Sequence, residues 1–427
     1  MKRVRKYMRI LIVCNVLIPE IAILEGKEGS VYGGWISGVI EGLRRESDME
    51  IGICYPESEG GTKGYKNNLW YYSFSCSSWN QIKIRDDDDL VEEFKIIISD
   101  FEPDILHVFG TEYVHSYAAV KAFHNPDKTV VNIQGLVSVY ARHYVNGIPE
   151  KILKGNTIGD FIFRRNIYKE QRVFQRKGIT EKNIITNCNH VIGRTEWDRA
   201  CTFFMNPDIQ YHFCGETLRS TFYKNDVWNY MNCEKHSVFI SQASYPVKGF
   251  HFALEAFSAV KKIYPDLKIY VAGQPRMRGN RNLPGSENPY DRYILNRTLE
   301  LDLQDNIIYT NHLTAEQMKD YYLQCNVFVS PSLIENSPNS LCEAMILGCP
   351  VISSDVGGVK EFIEHGRDGY IYPCDEPYML AYYILKIFDE QGNLSLDLNE
   401  AKRKIGSIMD REKNCKCLCD IYRQIYR

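Results

Sequence analysis

No stretch of this 427-residue chain approaches the about 20 consecutive apolar residues of a bilayer-spanning helix. Strong charge of either sign is also lacking. The net charge is −3 at pH 7 and the pI is near 6.4, which argues against general affinity for nucleic acid. There is no short internal repeat and no low-complexity tract. Gly33-Gly34 lacks the Gly-x-Gly-x-x-Gly spacing of a dinucleotide site, so a dehydrogenase is disfavoured. The fourteen cysteines form no Cys-x2-Cys pair; Cys415-x-Cys417-x-Cys419 is their single cluster. Its alternating spacing suits helix packing better than zinc. Most of the others, such as Cys14, Cys54, Cys325 and Cys342, fall within apolar patterns, as expected of buried thiols in a reducing compartment.

The basic cluster Lys2, Arg3, Arg5, Lys6 and Arg9 precedes an apolar stretch and imitates a secretory signal. Asn15 interrupts that stretch, Pro19-Glu20 ends it, and no small-residue cleavage site follows. A buried first strand and a cytoplasmic location are therefore expected. Asp86 to Asp89 contains Asp-x-Asp, a spacing also used for metals, but it starts an amphipathic helix with Leu90, Val91, Phe94, Ile97 and Ile98 on one face. A solvated helix start is the expectation, with no metal site.

What is present is an alternation of apolar runs and helical periods, the pattern of parallel sheets covered by helices. Strands are expected near Ile10–Val13, Ile51–Tyr55, Ile105–Val108 and Val130–Ile133, then near Ser237–Ile240, Lys268–Ala272, Ile307–Tyr309, Val327–Val329 and Val351–Ser353. A polar connector carrying Lys224, Asn225, Asp226, Asn229 and Asn232 separates the two series. At 44% apolar content and this length, two cores are expected.

Residues 328–358 are the most informative. Pro331 and Pro338 forbid a continuous helix, so Glu335 must lie on a loop. Ser340 and Glu343 fit a capping box for a helix that Gly348 and Pro350 terminate. The backbone amides of Asn339, Ser340 and Leu341 are then expected to point out of a helix N-terminus, where an anion is favoured. Gly357-Gly358 opens a further tight turn.

This segment resembles the retaining glycosyltransferases of family four, which have the glycosyltransferase-B fold of two Rossmann-like domains facing a cleft. The resemblance implies that Glu335 contacts the donor sugar and Glu343 the ribose, with the Asn339 to Leu341 amides on the diphosphate. It also implies phosphate-binding roles for Gly33-Gly34 and for Lys248, in Lys248-Gly249 after the Ser237–Ile240 strand. Domain bounds of 1–222, with a crossover helix at 412–427, and 233–411 follow from the same comparison and the polar connector.

Two positions depart from the family pattern. Gln242 stands where an arginine is common, so any contact it makes to the leaving group is uncharged. Gln134 stands where a histidine is frequent. Arg194 is a candidate replacement cation, with pairing to Glu196 or Asp198 as the alternative. His107, at the end of a strand, could reach a cleft as a catalytic group or be a core residue.

The resulting expectation is a metal-independent retaining transferase that takes a nucleotide diphosphate sugar and a glycan or lipid-linked acceptor, as in surface polysaccharide or glycolipid assembly. The basic and aromatic stretch 137–183 suggests contact with an anionic membrane surface; ordinary surface charge is the alternative. A nucleotide-sugar epimerase or hydrolase of the same fold, and a catalytically silent sugar-nucleotide-binding subunit, are the competing functions.

Overall fold

The computed structural model describes residues 7–27, 34–76, 88–155, 157, 160–161, 165–273 and 288–427, with backbone only at 34 and 35. Gly33, Asp86, Asp87, Arg164 and most of the N-terminal basic cluster lie outside these residues.

The chain divides into two compact units. Unit 1 comprises 1–139, 173–219 and 408–427, and unit 2 comprises 140–172 and 220–407. The contact pattern thus assigns 140–172 to the second unit, where the sequence reading had kept it in the first. Local packing explains the assignment. The ring of Phe252 occupies the space where a side chain on Gly147 would lie. His251 Nε2 bonds the carbonyl of Asn146 at 2.9 Å, and Asn288 donates to Glu170 at 2.7 Å. Arg292 pairs with Asp160.

Unit 1 holds β1 (Met8–Val13), β2 (Met49–Glu57), β3 (Lys63–Lys66), β4 (Leu69–Ser75), β5 (Ile105–Phe109), β6 (Thr129–Asn132), β7 (His190–Gly193) and β8 (Gln210–Phe213). They form one sheet in the order β3-β4-β2-β1-β5-β6-β7-β8, parallel except for the β3–β4 pair. The central strands are buried on both faces, as helix-covered parallel strands must be, which explains their unbroken apolar sequences. The Asp88–Phe101 helix buries Leu90, Val91, Phe94 and Ile97 as expected, and Ile98 packs at the margin. The Arg411–Tyr426 helix closes this unit, burying Leu418, Cys419, Ile421, Tyr422 and Ile425 beside β1, with Cys415 and Cys417 at the edge of the cluster.

Unit 2 holds β9 (Ser237–Ile240), β10 (Lys268–Val271), β11 (Ile307–Tyr309), β12 (Val327–Ser330), β13 (Val351–Ser354) and β14 (Tyr370–Tyr372), all parallel, in the order β11-β10-β9-β12-β13-β14. The chain runs outward from β9 to β11 and then restarts at β12 on the other flank of β9. The point where strand order reverses, outside the carboxyl ends of β9 and β12, is where open α/β sheets bind ligands. Among the described residues, no helix is long and apolar enough to cross a membrane.

Candidate donor site in the second unit

Three loops converge at that reversal point. The first leaves β9 and reaches Gly249, whose φ of +66° and close approach to its neighbour admit no side chain: a Cβ there would stand 1.9 Å from the carbonyl oxygen of Pro331. The amide of Leu333 donates to the carbonyl of Val247 at 2.7 Å, locking this loop to the one leaving β12. The third loop follows β13, where a Cβ on Gly357 (φ +53°) would stand 1.8 Å from the carbonyl oxygen of Glu335. The amide of Gly358 donates to that same oxygen at 3.1 Å. Glycine at 249 and 357 is therefore what lets the three loops meet around residue 335.

The side chains follow from this backbone. Lys248 Nζ lies 2.5 Å from Glu335 Oε1, with the two side chains 17% and 11% exposed. The Ser332 hydroxyl donates to the same oxygen at 2.8 Å. Burial alone would lower the Lys248 pKa, but the Glu335 carboxylate, followed by Tyr245, outweighs it and holds the ammonium above its ordinary value. The sequence reading gave these residues separate partners, sugar for Glu335 and diphosphate for Lys248. In the structure they are each other's partner, across 87 residues of chain.

The helix after Glu335 runs Asn339–Ile346 with Pro338 as its N-cap, and no side chain caps it. The expected Ser340–Glu343 capping box is thus corrected. Pro338 presents its carbonyl to the amides of Leu341 (3.0 Å) and Cys342 (3.2 Å), starting the helix before Ser340 can act as a cap. Leu341 is consequently not an outward donor. The Ser340 amide makes no bond within the chain among the described residues, and the helix start remains uncapped by any acid, which suits an anion. Glu343 is 4% exposed and receives the Tyr322 hydroxyl at 3.4 Å.

The other expected site residues make no part of this ion pair. Gln242 is exposed beyond β9. Gly34 opens the Gly34–Leu43 helix of unit 1, while Gly33 lies outside the described residues. His107 is fully buried in β5, its Nδ1 2.6 Å from the Tyr422 hydroxyl, and burial pushes it down to about 3. The catalytic reading of His107 is withdrawn: a neutral imidazole inside a sheet touches core, not substrate. Arg194 pairs with Glu216, not Glu196 or Asp198, and also donates to the carbonyls of Ile133 and Gln134 at 2.7 and 3.0 Å. Gln134 itself donates to Glu216 at 2.9 Å.

A cavity beside the β9 loop escaped the sequence reading. It is lined by Ala243, Ser244, Phe250, Gly273, Asp291 and Tyr309, among others. These residues come from five separate segments, so no local motif could reveal it. Among the described residues, no group of three or more His, Cys, Asp or Glu side chains could hold a metal.

Residues 232–405 match the glycosyl transferases group 1 family. The amylovoran biosynthesis glycosyltransferase AmsK of Erwinia amylovora is 27% identical over 130 residues, 29% of this chain and 32% of that protein. The chain matches half or less of the length of such relatives. Sucrose-phosphate synthase from Thermosynechococcus elongatus superposes with a TM-score of 0.70 at 15% identity, covering 98% of this chain and 99% of that one. HepE of Anabaena, solved with UDP-glucose, superposes with a TM-score of 0.66 at 13% identity, covering 98% and 100%. The second unit accordingly carries a glycosyl transferases group 1 domain, and the chain has the glycosyltransferase-B fold.

Proposed function

We propose that this protein is a retaining, metal-independent glycosyltransferase that moves a sugar from a nucleotide diphosphate sugar to a glycan or lipid-linked acceptor. The observation that supports the donor reading best is the Lys248–Glu335 pair at the β9/β12 reversal point, beside a helix start without an acidic cap. Breaking the anomeric bond develops negative charge on the diphosphate and positive charge on the sugar. Lys248 and the Ser340 amide stabilise the first, and Glu335 orients the sugar through its hydroxyls. A bound diphosphate competes with Glu335 for the ammonium, so donor entry exchanges one anionic partner of Lys248 for another. Glu343 serves the ribose. Retention is what the resemblance of residues 328–358 to the retaining glycosyltransferases of family four implies.

AmsK is named as an amylovoran biosynthesis glycosyltransferase and HepE was solved with UDP-glucose, which supports a glycan product and a uridine-type donor as the first to try. The acceptor is assigned to unit 1, and the protein to the cytoplasmic side, peripheral to an anionic membrane surface.

A thermal-shift panel of sugar nucleotides followed by product analysis tests this. Stabilisation with a glycosylated product of unchanged anomeric configuration supports the reading. Isomerised or hydrolysed donor, or binding without turnover, replaces it. Failure to float with anionic vesicles removes the membrane contact alone.

A further inference from the structure

Unit 1 has a strand-order reversal of its own. The chain runs outward from β1 through β2 to β3 and β4, then restarts at β5 on the other flank of β1. Open α/β sheets bind ligands outside the carboxyl ends of such a strand pair. Asn15, after β1, donates to the Tyr113 hydroxyl at 2.7 Å and so joins the two loops that leave this point. Thr111, after β5, donates to the Glu181 carboxylate, which also accepts the amides of Val137 and Ser138 at 2.8 and 3.1 Å. The loop after β5 is therefore fixed by both neighbours.

That loop feeds the Val114–Phe123 helix, whose start is buried and uncapped. Tyr113 is the N-cap, no side chain caps the helix, and its first turn holds no acid. Among the described residues, the amides of Val114, His115 and Ser116 make no hydrogen bond. His115 and Ser116 are fully buried, yet both ring nitrogens of His115 and the Ser116 hydroxyl lack a hydrogen-bond partner among the described residues. Side chains at a helix start lean toward its N-terminus, and the His115 ring stacks on that of Tyr113 at 5.0 Å. These groups therefore surround the mouth of the helix. Unsatisfied buried polar groups cost free energy, and a ligand that satisfies them gains it on binding.

Lys177 supplies charge. Its Nζ lies 5.2 Å from the centre of the Tyr113 ring, and no carboxylate stands within ion-pair distance of it among the described residues. The acids nearby are turned elsewhere. Glu181 is engaged by the Thr111, Val137 and Ser138 donors. Glu112 engages the Tyr113 hydroxyl, with one oxygen 3.4 Å from where a Cβ on Gly110 would stand, back along the loop. Backbone amides and an ammonium donate and accept nothing. A neutral hydroxyl, which must also donate, suits them less well than the acceptor oxygens of a phosphate, which the helix dipole also favours.

We propose that the start of the Val114–Phe123 helix is a phosphate site of unit 1, with the Val114, His115 and Ser116 amides, the Ser116 hydroxyl and Lys177 as its donors. That the phosphate belongs to the acceptor rests on the function proposed above; the site itself does not.

Hydrogen exchange on the full chain locates the phosphate without donor or turnover. Glucose 1-phosphate, or a polyprenyl monophosphate in phosphatidylcholine vesicles, should slow exchange of amides 114–116 about tenfold, and methyl glucoside should not. Protection by the first assigns a soluble sugar phosphate and by the second a lipid; either supports the site. Lys177→Met should weaken the phosphate affinity read from this protection about tenfold. Protection confined to 338–342, equal protection by methyl glucoside, no protection by either phosphate, or protection that Lys177→Met leaves intact overturns the proposal. If Lys177→Met fails to fold, the wild-type comparison of phosphate with methyl glucoside decides. Protection of 114–116 without any glycosyl transfer removes the acceptor reading and leaves the site.

Discussion

The carbonyl oxygen of Pro331 occupies the place where a side chain on residue 249 would begin, 1.9 Å from an ideal Cβ. Gly249→Ala must therefore displace the loop after β9 or the loop after β12, and with it Lys248 or Glu335. The expected cost is about 2–4 kcal/mol, with loss of nucleotide binding. Gly366→Ala is the control: its φ of +77° is similar but nothing lies within 4 Å, so only the conformational cost of about 1 kcal/mol applies. Chemical denaturation and nucleotide thermal shifts compare the two.

Removing one member of the Lys248–Glu335 pair leaves the other largely buried without its partner. Lys248→Met should cost about 1–3 kcal/mol of stability. The double variant with Glu335→Gln should recover part of it, showing coupling near 1 kcal/mol in a mutant cycle. The Lys248 pKa is raised from 10.5, so this contribution is complete below that pH and is lost only as pH climbs through the higher native value. Coupling measured at neutral and mildly alkaline pH should be equal.

Glu343→Ala should weaken binding of any nucleotide carrying the right base, whereas Glu335→Ala should chiefly reduce turnover with intact sugar nucleotide. Tyr322→Phe removes a long bond of 3.4 Å to Glu343 and should change nucleotide affinity by less than about threefold. Calorimetric titration distinguishes these outcomes, and unchanged binding and activity in both glutamate variants would remove the donor assignment.

On the proposed function, in which Lys248 and the Ser340 amide carry the leaving-group charge, turnover should persist in excess EDTA. A loss restored by magnesium or manganese would show that a divalent ion shares that task.

Much of unit 2 was legible because its strands are buried on both faces and read as apolar runs; Ser237–Ile240 and Ile307–Tyr309 coincide with the expected limits. Five strands escaped: Lys63–Lys66 and Gln210–Phe213 are exposed at sheet edges, whereas Leu69–Ser75, His190–Gly193 and Tyr370–Tyr372 are largely buried but carry polar or aromatic residues in place of an unbroken aliphatic run. Lys63–Lys66 is mostly exposed and reads as polar, although Asn67-Asn68, both with positive φ, marks its hairpin turn. Gln210–Phe213 is likewise an exposed edge strand. Glu335, Glu343 and Lys248 were singled out in the sequence by local pattern together with the family resemblance. Their partners were not, because Lys248–Glu335 and Tyr322–Glu343 are set by chain reversals and not by spacing.

Residues 140–172 join unit 2 although they are flanked by segments of unit 1, and residues 408–427 return to unit 1. Neither unit is thus a contiguous piece of polypeptide. During synthesis, the early-made 140–172 must wait for 220–407, and the first core stays open at Tyr422 and Ile425 until the Arg411–Tyr426 helix has been made. Severing the chain near 220 should therefore yield two insoluble fragments, each lacking part of its own core.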